Sequence, residues 1–372
     1  MKREHPIKQL LLATREHWDH PGTAGNVREN FLKIINCGTI ALGAEVFASE
    51  TELKLVHHTC KSRFCTSCGQ RTTEVWQKDL EASLPDIPYV GITLTMPKEF
   101  WPILQKNRHL LHGMPAIGAE AIQLWVKSRY GVGVLLIVVQ HTFGGFLNFY
   151  PHLHVLVSAG GLHDSEGKWK WIPQLRYDKR AYIELMHAWR YAVIAYLAEA
   201  LKWQVLDSGV SSEESRTMFE SQYKRAWHID ISARMSKVHF LKYVARYIRR
   251  PPVAQHRLTR ITDQEVEYLA KDTREQRRVN MRYSNDEFVA ILKEQVPDRG
   301  RHAMRYFGLL APRTKAHSWA AVFVLLKQMQ RPLPRRLSWR FLRRKTFGID
   351  PLVDSFGQIM HWVGRVSPVV AN

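Results

Sequence analysis

Cysteine is scarce in this chain, and it is confined to the N-terminal part: Cys37, Cys60, Cys65 and Cys68, with none after position 68. A disulfide framework spanning the molecule is therefore excluded, and thiols clustered this tightly point to a metal rather than to cross-links. Long apolar runs are also missing. The longest, Val132 to Val139, falls far short of the ~20 residues a membrane helix needs. The opening Met-Lys-Arg-Glu-His-Pro lacks the apolar core of a signal peptide, so the expected setting is cytoplasmic and nucleoid-associated. Acidic residues are the third shortage. With 34 Asp and Glu against 54 Lys and Arg, the formal charge is +20. That surplus calls for a polyanionic partner, nucleic acid first and an anionic membrane surface second.

What is present is globular. Hydrophobic residues at 45% and charged residues at 24% exclude wholesale disorder. The 372 residues suit two or three domains. Residues 1–85 read as an N-terminal zinc- and DNA-binding unit that ends in a helix over 72–82. Residues 86–260 alternate strands (89–95, 132–142, 152–158 and 228–232) with helices (99–111, 116–130, 180–201 and 237–249). This pattern predicts an α+β domain built on a central antiparallel sheet flanked by helices. Residues 261–372 read as a basic C-terminal region with a helix over 288–294.

The run Cys60-Lys-Ser-Arg-Phe-Cys65-Thr-Ser-Cys68-Gly69 places three thiols within nine residues. A C-x2-C pair on a tight turn closed by glycine is a knuckle that offers two thiolates to one Zn²⁺, and a structural zinc wants four ligands. Cys37, followed by Gly38, is the obvious fourth; His57 and His58 are the alternatives. Lys61, Arg63 and Arg71 surround the cluster and suit DNA contact.

Pro151-His152-Leu153-His154-Val155 carries a second pattern. Alternate residues of a strand share a face, so His152 and His154 project side by side with Leu153 and Val155 behind them. Two imidazoles can converge on one divalent cation. A hairpin through Gly144-Gly145 would bring His141 alongside as the third ligand, with Gln140 and Asn148 as weaker options. A third pattern is the helix KVHFLKYVARYIRR, Lys237 to Arg250. It sets Tyr243 and Tyr247 one turn apart on one face, flanked by Lys242, Arg246, Arg249 and Arg250. Phenols activated by a cation are nucleophiles, and clustered arginines bind phosphates.

Together the stretches CKSRFCTSCG (60–69), HTFGGFLNFYPHLHVLV (141–157), YVARYIRR (243–250) and RYFGLLAPR (305–313) resemble the rolling-circle transposases of the insertion-sequence 91 family, which are two-tyrosine HUH endonucleases. The resemblance implies a palm-like sheet in which His152 and His154 hold Mg²⁺ or Mn²⁺. It also implies single-stranded DNA at transposon ends and target as the partner, and a 5′-phosphotyrosine formed by Tyr243 or Tyr247. This sequence departs from the family in three places. No cysteine stands in Ala48–Glu52, none follows Asp350-Pro-Leu, and Tyr150 stands where a histidine is common. Two other readings are a plasmid replication initiator or relaxase with the same chemistry, and a non-catalytic zinc-containing nucleic-acid-binding protein.

Overall fold

The structure is a computed structural model. It describes residues 6–369 except 63, 164, 248–252, 273, 274, 276, 301, 334–337, 342, 343, 345–347 and 349, and except the side chains of 67, 70, 71, 245–247 and 255. Helices α1 (Pro6–Ala13) and α2 (Gly25–Ile35) precede a hairpin of β1 (Ala44–Ala48) and β2 (Leu53–His57), then α3 (Thr66–Ser83). The middle of the chain forms β3 (Tyr89–Leu94), α4 (Trp101–Lys106), α5 (Met114–Tyr130), β4 (Val132–Phe143), β5 (Phe149–His163), β6 (Trp169–Trp171), α6 (Lys179–Lys202), α7 (Ser212–Gln222), β7 (Ile229–Ile231) and α8 (Lys237–Tyr247). The last third forms β8 (Leu258–Ile261), β9 (Glu265–Lys271), β10 (Arg278–Ser284), α9 (Asn285–Gln295), β11 (Met304–Gly308), α10 (Pro312–Leu325) and β12 (His361–Val366).

The central sheet runs in the order β11-β4-β5-β3-β7, with β6 paired to β5. Every neighbouring pair in it is antiparallel. An antiparallel sheet commonly shows one face to water, but here both faces of β4 and β5 are covered, which is why their sequences are nearly unbroken apolar runs. On one face, Leu136, Val138, Val155 and Val157 pack against Ile122 of α5 and Trp189 of α6. On the other, Leu135, Ile137, Val139 and Leu156 pack against Trp76 of α3, Phe240 and Val244 of α8, and Val322 of α10. Each such side chain removed from water contributes roughly 1.5–3 kcal/mol, so this double layer is a major source of the stability of the central sheet.

Strand pairing crosses the divisions read from sequence. β12 pairs with β1, and β11 pairs with β4 as an edge of the central sheet. Leu10, Phe31 and Ile34 of α1 and α2 share a core with Tyr268 of β9 and with Phe288 and Leu292 of α9. A three-stranded sheet, β10-β9-β8, straddles the boundary read at 260, and its strands were not expected. Helices α7 and α9 start with reciprocal capping boxes, Ser211 with Glu214 and Ser284 with Glu287, which satisfy N–H groups otherwise left open at a helix start.

Candidate active site

The knuckle is built differently from a turn closed by glycine. Cys65 caps α3, so Cys68 and Gly69 lie in the first turn of that helix. Cys60 arrives from the extended segment after β2, and Cys37 from the end of α2. The four thiols converge: Sγ of Cys68 lies 3.7 Å from Sγ of both Cys37 and Cys60, and Cys65 lies 3.8 Å from Cys37. A tetrahedron with Zn–S bonds of about 2.3 Å has edges of about 3.8 Å, so the cluster fits one Zn²⁺ without rearrangement. Contact with Cys37 is the largest cause in each of the other three titrations: it pushes the Cys60 and Cys65 thiols up and pulls Cys68 down. His58 is otherwise engaged, its Nδ1 at 3.0 Å from the Leu42 carbonyl and its Nε2 at 3.0 Å from a Glu45 carboxylate oxygen. Cys37, not His58, therefore completes the set of four.

The second cluster sits on the central sheet. In the β4–β5 ladder His141 pairs directly with His152, and Val139 with His154. The register puts all three rings on one face, and their candidate ligand nitrogens lie within 4.8 Å of one another. The Nε2 atoms of His152 and His154 are 3.1 Å apart. His152 donates from Nδ1 to the Tyr150 carbonyl at 2.8 Å, so in its neutral form the lone pair is on Nε2. Nδ1 of His154 lies 3.4 Å from the Thr93 hydroxyl, and Thr93 faces it from β3. Burial pulls His152 down to about 4. His154 lies well below the ordinary imidazole range, through burial first and then the neighbouring charges of His141 and His152. Both rings are thus neutral at ordinary pH, the form a metal requires. Among the described residues this trio and the four cysteines are the groups arranged to hold a metal.

Helix α8 packs on the face that carries the three histidines. Phe240, Leu241 and Val244 are buried there with Val139, Leu156 and Tyr89, and Tyr243 lies half-buried at the edge of the same cluster. The Tyr89 and Phe240 rings stack at 4.4 Å. The periodic stripe of α8 is therefore split: Phe240 and Val244 are core, and Tyr243 borders it. Lys242 is exposed. Arg63, Arg249 and Arg250 lie outside the described residues, as do the side chains of Arg246 and Tyr247. Thr93 was not anticipated; its only sign in the sequence was a threonine at an alternate position of a strand.

A family model described as "Putative transposase" matches residues 135–318, which hold the histidines, the tyrosines and β11. A second, described as "Transposase zinc-binding domain", matches residues 12–96, which hold the four cysteines. The transposase for insertion sequence element IS801 of Pseudomonas savastanoi pv. phaseolicola is 28% identical over 365 residues, 93% of this chain and 86% of that protein.

This chain belongs to the insertion-sequence 91 family of transposases.

A family relative, y4qJ of Sinorhizobium fredii (strain NBRC 101917 / NGR234), carries the same description as the first model; it is 27% identical over 298 residues, 76% of this chain and 74% of that protein. No solved structure matches the transposase significantly. Among the described residues no helix is long and apolar enough to cross a membrane. The cluster of four cysteines and the matching zinc-binding model together support a structural Zn²⁺.

Proposed function

We propose that this transposase cuts and rejoins single-stranded DNA through a 5′-phosphotyrosine, on an HUH-type palm. The observation that carries the reading is the placement of α8, with its tyrosines, on the same face of the sheet as the histidine trio. His141, His152 and His154 would hold Mg²⁺ or Mn²⁺, which would supply positive charge to polarise the scissile phosphate. An all-imidazole set suits Mn²⁺ better than Mg²⁺, which prefers oxygen ligands.

The phenol oxygen of Tyr243 or Tyr247 attacks phosphorus and gives up its proton. The P–O3′ bond breaks, and the departing 3′ oxygen takes up a proton. The bond to tyrosine conserves the phosphodiester energy, so a free 3′-hydroxyl can reverse the step on another strand. Two tyrosines permit two successive transfers. Cysteines 37, 60, 65 and 68 hold Zn²⁺ as a structural staple. Lys242, Arg63, Arg246, Arg249 and Arg250 serve phosphate contacts along the strand.

The test is covalent capture. The wild-type chain, given labelled single-stranded DNA and Mn²⁺, forms an adduct that survives denaturant. Tyr243→Phe combined with Tyr247→Phe forms none and still binds DNA. An adduct of undiminished yield in the double variant places the nucleophile elsewhere.

A further inference from the structure

Beside the histidine trio lies a cavity of about 280 Å³, where β11 stops pairing and leaves the end of β4 uncovered. Its wall is drawn from residues as far apart in the chain as Asn26 and Ala303. His141 and Phe143 line it from β4, Asn30 from α2, Phe64 from the knuckle and Gln295 from the end of α9. His141 thus belongs both to the trio and to the cavity wall, and whatever occupies the cavity is contiguous with the reacting phosphate. We propose that it takes one unstacked base of the single-stranded DNA, an amino-bearing base in preference to thymine. This rests on the reading of the neighbouring site as a DNA-processing centre.

Size, charge and unpaired polar atoms all support this occupant. The volume is close to the lower end of small-ligand sites, roughly 300–1,000 Å³, which admits one base and not a duplex. The charged groups in the wall are paired with one another: Arg108 with Asp298 at 3.2 Å and Arg299 with Glu29 at 2.7 Å. Their carboxylates disfavour a phosphate there, and the balance favours an uncharged ring. Phe143 lies nearly parallel to the His141 ring, at 5.1 Å and 17°, and extends a flat aromatic surface of the kind on which bases stack.

Two buried amides set the preference. Gln140 and Gln295 are each only 4% exposed, and the side-chain oxygen of each makes no hydrogen bond. Gln295 donates its amide N–H to the Leu147 carbonyl at 3.1 Å, which fixes the oxygen as its spare end. Buried polar groups are normally paired, so two spare acceptors call for a ligand that brings N–H donors. Adenine, cytosine and guanine each bring an amino group with two N–H donors, one for each acceptor; thymine brings only its single N3–H.

The full-length chain is tested by equilibrium selection from randomised single-stranded oligonucleotides without added Mg²⁺ or Mn²⁺, so that binding is read apart from cutting. The retained DNA favours an amino-bearing base at one position by about tenfold. Gln140→Leu and Gln295→Met flatten that position and leave the others unchanged. In a second arm, which needs no variant, the preferred base is replaced by its analogue lacking the amino group, and wild-type affinity falls by about tenfold. No preferred position, a preference for thymine, or equal affinity for the analogue overturns the proposal. Failure of covalent capture with the base preference intact would remove the catalytic reading and leave this pocket standing.

Discussion

The Nε2 atoms of His152 and His154 approach to 3.1 Å while Nδ1 of each ring turns away from the pair, to the Tyr150 carbonyl in one case and the Thr93 hydroxyl in the other. Two basic nitrogens at that separation are aimed at a common point, and the outer contacts hold the aim. Replacing His152 by alanine should lower Mn²⁺ affinity well over tenfold. Thr93→Val, which removes only an outer support, should cost roughly 10-fold, at the lower end of what such supports contribute. Titration calorimetry with Mn²⁺ reads both. Equal affinity in His152→Ala and wild type would remove the trio as a metal site.

The four sulfurs join the end of α2, the strand exit after β2 and the first turn of α3. Cys68→Ser should lose bound zinc, measured by atomic absorption. It should also lower the melting temperature by several degrees, since 1 kcal/mol corresponds to roughly 2–4 °C in proteins somewhat smaller than this one. A variant that keeps a full equivalent of zinc would show that three thiols and another ligand suffice.

The central strands were legible in the sequence because burial on both faces leaves unbroken β-branched runs; 132–142 was expected and Val132–Phe143 is found. The His-x-His alternation was legible for the same reason, since a strand's period of two is fixed by its geometry. The hairpin that sets His141 opposite His152 followed from Gly144-Gly145. The edges were harder. β11, β12 and the strands of the β8–β10 sheet are short or half-exposed and lie within a stretch of many charged residues, so they read as a charged tail. Met304–Gly308 is half-buried throughout, with no alternation to announce it. The first turn of α3 was also hidden, because C-x2-C followed by glycine describes a turn and a helix start equally well.

Within RYFGLLAPR the glycine has a structural task. Gly308 has φ +59°, and a Cβ there would collide with the Val134 carbonyl oxygen of the neighbouring strand. Gly308→Ala should therefore cost about 2–4 kcal/mol, the left-handed penalty plus displacement of the edge strand. Gly357→Ala is the control: its φ is +86° with open space around it, so it should cost only about 1 kcal/mol. Urea unfolding compares them, and equal losses would mean that the close approach to β4 has no weight.

Glu45 ties β12 to β1. Its carboxylate accepts from the Trp362 indole and from Arg365, each at 2.8 Å, and faces His58; these partners, Trp362 foremost, hold it down at about 2 against an ordinary value of 4.5. A depressed carboxylate contributes stability that is complete above the unfolded value and is lost as pH falls through the folded one. The protection of β12 amides, measured against the intrinsic exchange rate at each pH, should thus fall between pH 4.5 and 2. Glu45→Gln should remove that part of the pH dependence, and an identical profile in the variant would rule the tie out.

Because β11 supplies an edge of the sheet that bears the histidines, the centre is assembled from segments made far apart in time on the ribosome. A nascent chain that has delivered both tyrosines still has no strand on that flank until residues 304–308 emerge. A gene copy interrupted before that point would encode the histidine trio and both tyrosines on a sheet that lacks this edge.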